Sequence, residues 1–268
     1  MNSQNYLHQF SNRVFITIIT LILHAYALPE DMKFRSYSIE EGLAQSSVFS
    51  ITQDDNGFIY IATEAGLNRF DGYGFTIYDS DAADSNSLTN TVVYALCKDR
   101  HGIIWVGTAY GLTRYDPKNG SFRKIIHNPE DSNTLSSNRV NTICEGEDGL
   151  IWIGTGNGLN RYDYTRNRFT IYLSNPDDPR SISDNIIRAV YTDRSGVLWV
   201  GTEQGGLNRF DSKTGEFIRY THIPDDVTSL SNNMVLAMCE DFKGVLWVGT
   251  FGGGLNAFDR EKEVFKRY

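Results

Sequence analysis

The chain has 268 residues, and its 25 Lys and Arg against 33 Asp and Glu leave a net charge of −8. An apolar content of 40% excludes a disordered chain, and 24 Gly without a triplet period exclude collagen. The acidic balance argues against a nucleic-acid partner, while 15 Tyr and 15 Phe beside the glycines favour short strands and tight turns.

In chain order, residues 14–23 (VFITIITLIL) form an apolar run after Arg13, and Ala25-Tyr26-Ala27 follows with small-x-small spacing. An apolar core of about 10 residues is too short to span a bilayer and reads as a signal peptide. Residues 1–27 are expected to be that signal peptide, or an N-terminal anchor if uncleaved, and residues 28–268 the exported domain. Residues 34–37 (FRSY) match the last strand of the unit described next and are expected to form a leading strand.

From there one unit recurs five times. Its first phrase is GIIWVGT at 102–108, repeated with small changes at 149–155, 196–202 and 244–250, and diverged at 57–63. All four Trp of the chain, Trp105, Trp152, Trp199 and Trp247, stand at one position of this phrase. A second phrase, GLNRFD or a close variant, ends at Asp71, Asp116, Asp163, Asp211 and Asp259. The second copy divides into four short β-rich runs at 92–97 (A), 103–108 (B), 112–116 (C) and 122–126 (D), separated by turn residues. Four antiparallel strands in a repeat of this length make a β-propeller blade. The predicted fold is all-β, with five blades at approximately 43–78, 88–126, 135–173, 182–221 and 230–268. Each Trp is expected to fill the space between neighbouring blades. The Gly two residues on should admit a close approach, and the Thr and the strand-C Asp should bind turn backbones.

The run from Glu41-Gly42-Leu43 through Gln53-Asp54-Asp55-Asn56-Gly57 to Gly66-Leu67-Asn68-Arg69-Phe70-Asp71-Gly72 resembles the two-component regulator propeller repeat. The resemblance implies the periplasmic sensor region of a bacterial hybrid histidine kinase or of a GGDEF diguanylate cyclase. It implies about seven blades per propeller, so that further blades are expected beyond the fifth. It also implies no catalysis in this chain, a small-molecule, oligosaccharide or peptide ligand, and a homodimer formed through the full receptor. Tyr60 and Ala62 depart from the usual Trp and Gly, and Ala257 from the usual Arg.

Few residues carry chemistry. Cys97, Cys144 and Cys239 occupy one repeat position and lack a Cys-x-x-Cys spacing, so buried free thiols are expected rather than a metal site. His101, His127 and His222 share no ligand spacing and read as surface groups. No nucleophile elbow, phosphate loop or HExxH is present, and no cofactor is expected. Paired acids in the D–A connections (Asp79 with Asp81, Glu130 with Asp131, Asp177 with Asp178, Asp225 with Asp226) read as turn-formers ahead of calcium ligands. The B–C tips vary most and share a face with the long D–A connections. Glu64, Tyr110, Asn157, Gln204 and Phe251 are therefore the ligand-binding candidates. Two alternatives to a sensor remain at this stage: an exported lyase- or lactonase-like enzyme, and a passive protein-interaction scaffold.

Overall fold

The structure, a computed structural model, describes residues 34–268; the expected signal peptide lies outside them. Residues 34–37 form no strand, contrary to expectation, and Phe34 is 90% exposed. A D strand needs the open edge of a C strand, and every C strand of the blades below already has its own D strand there.

Residues 38–268 form five four-stranded antiparallel sheets, each in A-B-C-D order. Blade one holds β1 (Val48–Gln53), β2 (Ile59–Thr63), β3 (Gly66–Phe70) and β4 (Phe75–Tyr78). Blade two holds β5 (Val93–Lys98), β6 (Ile104–Thr108), β7 (Gly111–Asp116) and β8 (Ser121–Ile125). Blade three holds β9 (Val140–Glu145), β10 (Ile151–Thr155), β11 (Gly158–Asp163) and β12 (Arg168–Tyr172). Blade four holds β13 (Ile187–Thr192), β14 (Leu198–Thr202), β15 (Leu207–Asp211) and β16 (Glu216–Tyr220). Blade five holds β17 (Val235–Glu240), β18 (Leu246–Thr250), β19 (Gly254–Asp259) and β20 (Val264–Arg267). In the second copy the observed strands lie within a residue of those read from the sequence. The inner strands pack in chain order, β1 on β5, β5 on β9, β9 on β13 and β13 on β17.

The core lies between blades. Trp105 joins Ile151, Tyr162 and Phe169 of blade three; Trp152 joins Ile187, Phe210 and Phe217 of blade four; Trp199 joins Leu230, Phe258 and Phe265 of blade five. Tyr60 does the same service towards blade two, 5.9 Å from Tyr115. Three of the four indoles are also held from their own blade. The Asp that opens the A–B turn accepts the indole N–H, at 2.9 Å for Asp99 and Trp105, 2.8 Å for Asp193 and Trp199, and 3.0 Å for Asp241 and Trp247. The other oxygen of the same carboxylate closes the turn, as where Asp99 Oδ1 accepts from the N–H groups of His101 and Ile103. In blade one the Tyr60 hydroxyl takes the place of the indole against Asp54. Blade three has Gly146 at this position.

In blades two to four the Gly two residues after the Trp is a socket. A methyl group on Gly107 would stand 2.6 Å from Val140 Cγ1, on Gly154 2.5 Å from Ile187 Cγ2, and on Gly201 2.5 Å from Val235 Cγ1. Each intruding side chain is the first residue of the next blade's inner strand. Gly249 of blade five has no atom closer than 3.8 Å to such a methyl.

The strand-C Asp residues cap their C–D turns as expected: Asp71, Asp116, Asp163, Asp211 and Asp259 each accept the N–H two residues on. The D–A connections are uniform, 14 residues each at 79–92, 126–139, 173–186 and 221–234. Their acids are turn-formers: Asp81, Asp131, Asp178 and Asp226 each accept the N–H two residues on. A buried Leu or Ile (Leu88, Leu135, Ile182, Leu230) plugs each connection into the core. The strand-C Asn160, Asn208 and Asn256 bind the next residue's N–H from below at 2.9–3.0 Å. His127 and His222 are half-buried, a correction to the surface reading, because Nδ1 of each meets the carbonyl of Leu135 or Leu230 within its own connection.

Two stability tests follow from this packing. Gly201→Val should cost about 1–3 kcal/mol by overpacking, whereas Gly249→Val should stay within about 0.5 kcal/mol of wild type; urea unfolding of both variants reads the difference. Asp193 provides a pH signature. Burial raises its pKa, but hydrogen bonds from Ser195, Trp199 and Arg260 outweigh this and hold it at about 2 against an ordinary 3.8. A lowered folded-state pKa means that the stabilisation is complete above the ordinary value and is lost as pH falls through the folded one. The melting-temperature gap between wild type and Asp193→Asn should therefore be full above about pH 4 and close on titration towards pH 2.

Candidate functional site

The inner strands surround a pocket of about 260 Å³ lined from all five blades. What points side chains into it is a β-bulge at one place in every blade. The pairing of strands A and B skips from Val48 to Ser50, Val93 to Ala95, Val140 to Thr142, Ile187 to Ala189, and Val235 to Ala237. The skipped residues are Phe49, Tyr94, Asn141, Arg188 and Leu236, and all five line the pocket. A bulge leaves one residue outside the ladder and re-aims its side chain. The preceding Val or Ile stays constant because it is the knob that fills the neighbouring Gly socket. The bulged residue carries no such duty and differs in every blade.

Three of the side chains, Phe49, Tyr94 and Asn141, are joined into a partial belt through Arg139. The Phe49 and Tyr94 rings meet edge to face at 5.5 Å, and Arg139 Cζ lies 5.5 Å from the centre of the Tyr94 ring. Arg139 Nε donates to Asn141 Oδ1 at 3.1 Å, and Asn141 Nδ2 donates to the Ile187 carbonyl at 2.9 Å. Arg188 pairs with Glu203, and the guanidinium holds the Glu203 carboxyl below the usual carboxylate range. The pocket thus offers aromatic faces, an amide and a guanidinium whose partner is at the rim.

The candidates read from the B–C tips lie on the same face as the mouth of this belt. In blades two to five each tip is tied to the residue before its own inner strand, at 2.9 Å from Ala109 N to Val92 O, Gly156 N to Arg139 O, Glu203 N to Ile186 O, and Phe251 N to Met234 O. Glu64, Tyr110, Asn157, Gln204 and Phe251 are all exposed, Tyr110 by 56% and Phe251 by 63%. No hydrogen bond, ion pair or ring contact joins any two of them. Glu64 instead accepts from Gln45, and the Gln204 N–H donates to Asp184. The sequence signal for the pocket residues was a variable position directly after an invariant Val or Ile; the tips drew attention first because they vary in length as well. Among the described residues no group of three or more His, Cys, Asp or Glu stands where it could hold a metal ion.

The family profile described as the two component regulator propeller matches residues 42–65, 87–110, 134–157, 181–204 and 229–252. The chain carries five two component regulator propeller repeats. The propeller is similar to the extracellular domain of a protein assigned as a hybrid two component system of B. thetaiotaomicron. The two are 28% identical with a TM-score of 0.75, over 87% of this chain and 31% of that one. A stretch of 56 residues, 21% of this chain, is 45% identical to histidine kinase P4 of Formosa agariphila and covers 4% of it. The chain therefore spans about a third of the extracellular domain it matches and a small part of the kinase. A virginiamycin B lyase of Staphylococcus aureus also superposes, with a TM-score of 0.64 at 16% identity over 90% of this chain and 75% of that one. At that identity the likeness is one of fold.

The three thiols of this propeller are free, but they are not alike. Cys97 packs against the blade-three core and Cys144 against the blade-four core, and burial pushes each thiol up to about 12. Cys239 is exposed, against the expectation that all three are buried, because it lies on the face of blade five that no other described blade covers. Since the thiolate is the reactive form, a maleimide at neutral pH should label one thiol per native chain and three in denaturant, and Cys239→Ser should remove the native labelling.

Proposed function

We propose that this chain is the exported, ligand-sensing propeller of a bacterial transmembrane receptor of two-component or diguanylate cyclase type, and that it performs no catalysis itself. The observation that carries this reading is the bulge repeated in five blades, which sets Phe49, Tyr94, Asn141, Arg188 and Leu236 around one pocket on an otherwise constant frame. Binding sites are commonly built as variable residues on a rigid scaffold. The likeness to an extracellular domain of a two component system and to a stretch of a histidine kinase supports an exported, periplasmic sensor. A small molecule, oligosaccharide or peptide would lay an apolar face on Phe49 and Tyr94 and place an acidic or carbonyl group against Arg188, in competition with Glu203. A ligand that touches inner strands of several blades binds some blade arrangements better than others, and that difference is what it can transmit to the rest of the receptor, a homodimer included.

The test is a thermal-shift screen of the full chain against neutral and acidic oligosaccharides and short peptides, since a ligand of the native state raises the melting temperature. For a compound that binds, Tyr94→Ala or Arg188→Ala should weaken affinity about tenfold or more, with Tyr110→Ala and Phe251→Ala close to wild type. Loss confined to the tip variants would move the site to the tips. Unchanged affinity in all four would reject both sites and favour the passive scaffold.

A further inference from the structure

On the face carrying the A–B and C–D turns, the gap between blades two and three and that between blades four and five are each closed in the same way. The Trp of the earlier blade lines it, the turn Asp accepts the indole N–H, and the residue after the strand-C Asp of the next blade fills the remaining space. Between blades two and three that residue is Tyr164, whose ring lies 5.7 Å from Trp105. Between blades four and five it is Arg260. Its Nη1 donates to Asp193 Oδ2 at 2.7 Å, its Nε donates to the Gly244 carbonyl at 3.2 Å, and its Cζ lies 5.8 Å from the centre of Trp199.

The gap between blades three and four lacks both closing elements. Gly146 stands where the other blades have Asp, and Ser212 stands where Tyr164 and Arg260 stand. A cavity of about 220 Å³ opens there, lined by Gly146, Glu147, Trp152, Gly196, Phe210 and Ser212 among others. Trp152 is only 3% exposed, yet its indole N–H, which in three other blades is met by an Asp, has no acceptor among the described residues. Glu147 reaches across the gap: its carboxylate lies over Gly196, in the space that a Cβ there would take. Among the described residues its carboxylate has no ion pair, whereas the neighbouring Asp148 is engaged at 2.6 Å by Arg161, whose Cζ lies 5.6 Å from the centre of the Trp152 ring and leaves the cavity side of that ring to a ligand.

We propose that this cleft is a second binding site, distinct from the axial pocket, and that it takes an arginine side chain, either of the free amino acid or of a peptide. The guanidinium would occupy the space that Arg260 occupies one gap further on. It would lie over the Trp152 ring, with Glu147 supplying the charge that Asp193 supplies to Arg260 and the Gly196 carbonyl standing for that of Gly244. A planar, weakly hydrated guanidinium suits an aromatic face and a carboxylate together better than an ammonium does. The unmatched indole N–H would donate to the ligand's own carbonyl or carboxylate oxygen.

The experiment titrates the full chain with L-arginine and, separately, with N-acetyl-arginine methylamide, followed by calorimetry and Trp fluorescence. The matching citrulline compounds serve as neutral controls. Binding of the blocked form indicates a peptide side chain as ligand, and binding of the free amino acid alone indicates recognition of its carboxylate. Ser212→Arg, which restores the residue found at 260, should abolish binding while raising the melting temperature. Glu147→Gln should weaken binding about tenfold, and Arg188→Ala should leave it unchanged, which separates this site from the axial one. Equal binding of citrulline, undiminished binding by Ser212→Arg, or no binding of either arginine compound would overturn the proposal.

Discussion

A sheet of four short strands has two faces and cannot bury either alone. The bond from the strand-B indole to the Asp that opens the same blade's A–B turn is what makes one face ready to receive a neighbour. The carboxylate closes the hairpin with one oxygen and fixes the ring with the other. The aromatic plane is thus set by its own blade before the next blade meets it. A hydrogen bond to a charged group is worth about 1.5–3 kcal/mol, and it recurs at Trp105, Trp199 and Trp247. The packing that follows is a knob and a socket. Val140, Ile187 and Val235 enter the space over Gly107, Gly154 and Gly201, so the inner strands come close enough to enclose a pocket.

That close approach also explains the bulges. The knob must point sideways into the neighbouring blade, while the strand must continue along the axis. One residue directly after the knob is left out of the ladder. Its side chain lines the pocket and is free of both the hydrogen-bond register and the knob-and-socket packing. A constraint that is strict at one residue creates freedom at the next, and that freedom is where Phe49, Tyr94, Asn141, Arg188 and Leu236 diverge.

Most of the frame was legible in the sequence because its causes are local. Turn residues and β-branched runs mark the strands, and the fixed spacing of Trp, Gly and Asp marks the blades. Three features escaped because they depend on what stands across a gap. Residues 34–37 have the composition of a D strand, but pairing needs an open C-strand edge, which composition cannot reveal. Cys97, Cys144 and Cys239 share one repeat position, yet their burial depends on whether a blade lies over it, so Cys239 differs. The D–A connections stood out in the sequence by length and turn-forming acids, not by what holds them. Buried Leu88, Leu135, Ile182 and Leu230, with the Asn of strand C, instead anchor them in one shape.

In a repeat protein a departure from the pattern has a local effect and a non-local one. Gly146 removes the acceptor of its own blade's Trp152, while Ser212 removes the filler supplied by the next blade. Either change alone would be small: with a filler of Arg260's size, the gap would close over Gly146, and with an Asp at 146, the indole would be satisfied beneath Ser212. Only their coincidence in one gap leaves an indole N–H without a protein acceptor at the wall of an open cavity. At this interface a ligand oxygen on Trp152 with a cation against Glu147 would supply what Asp193 and Arg260 supply one gap further on.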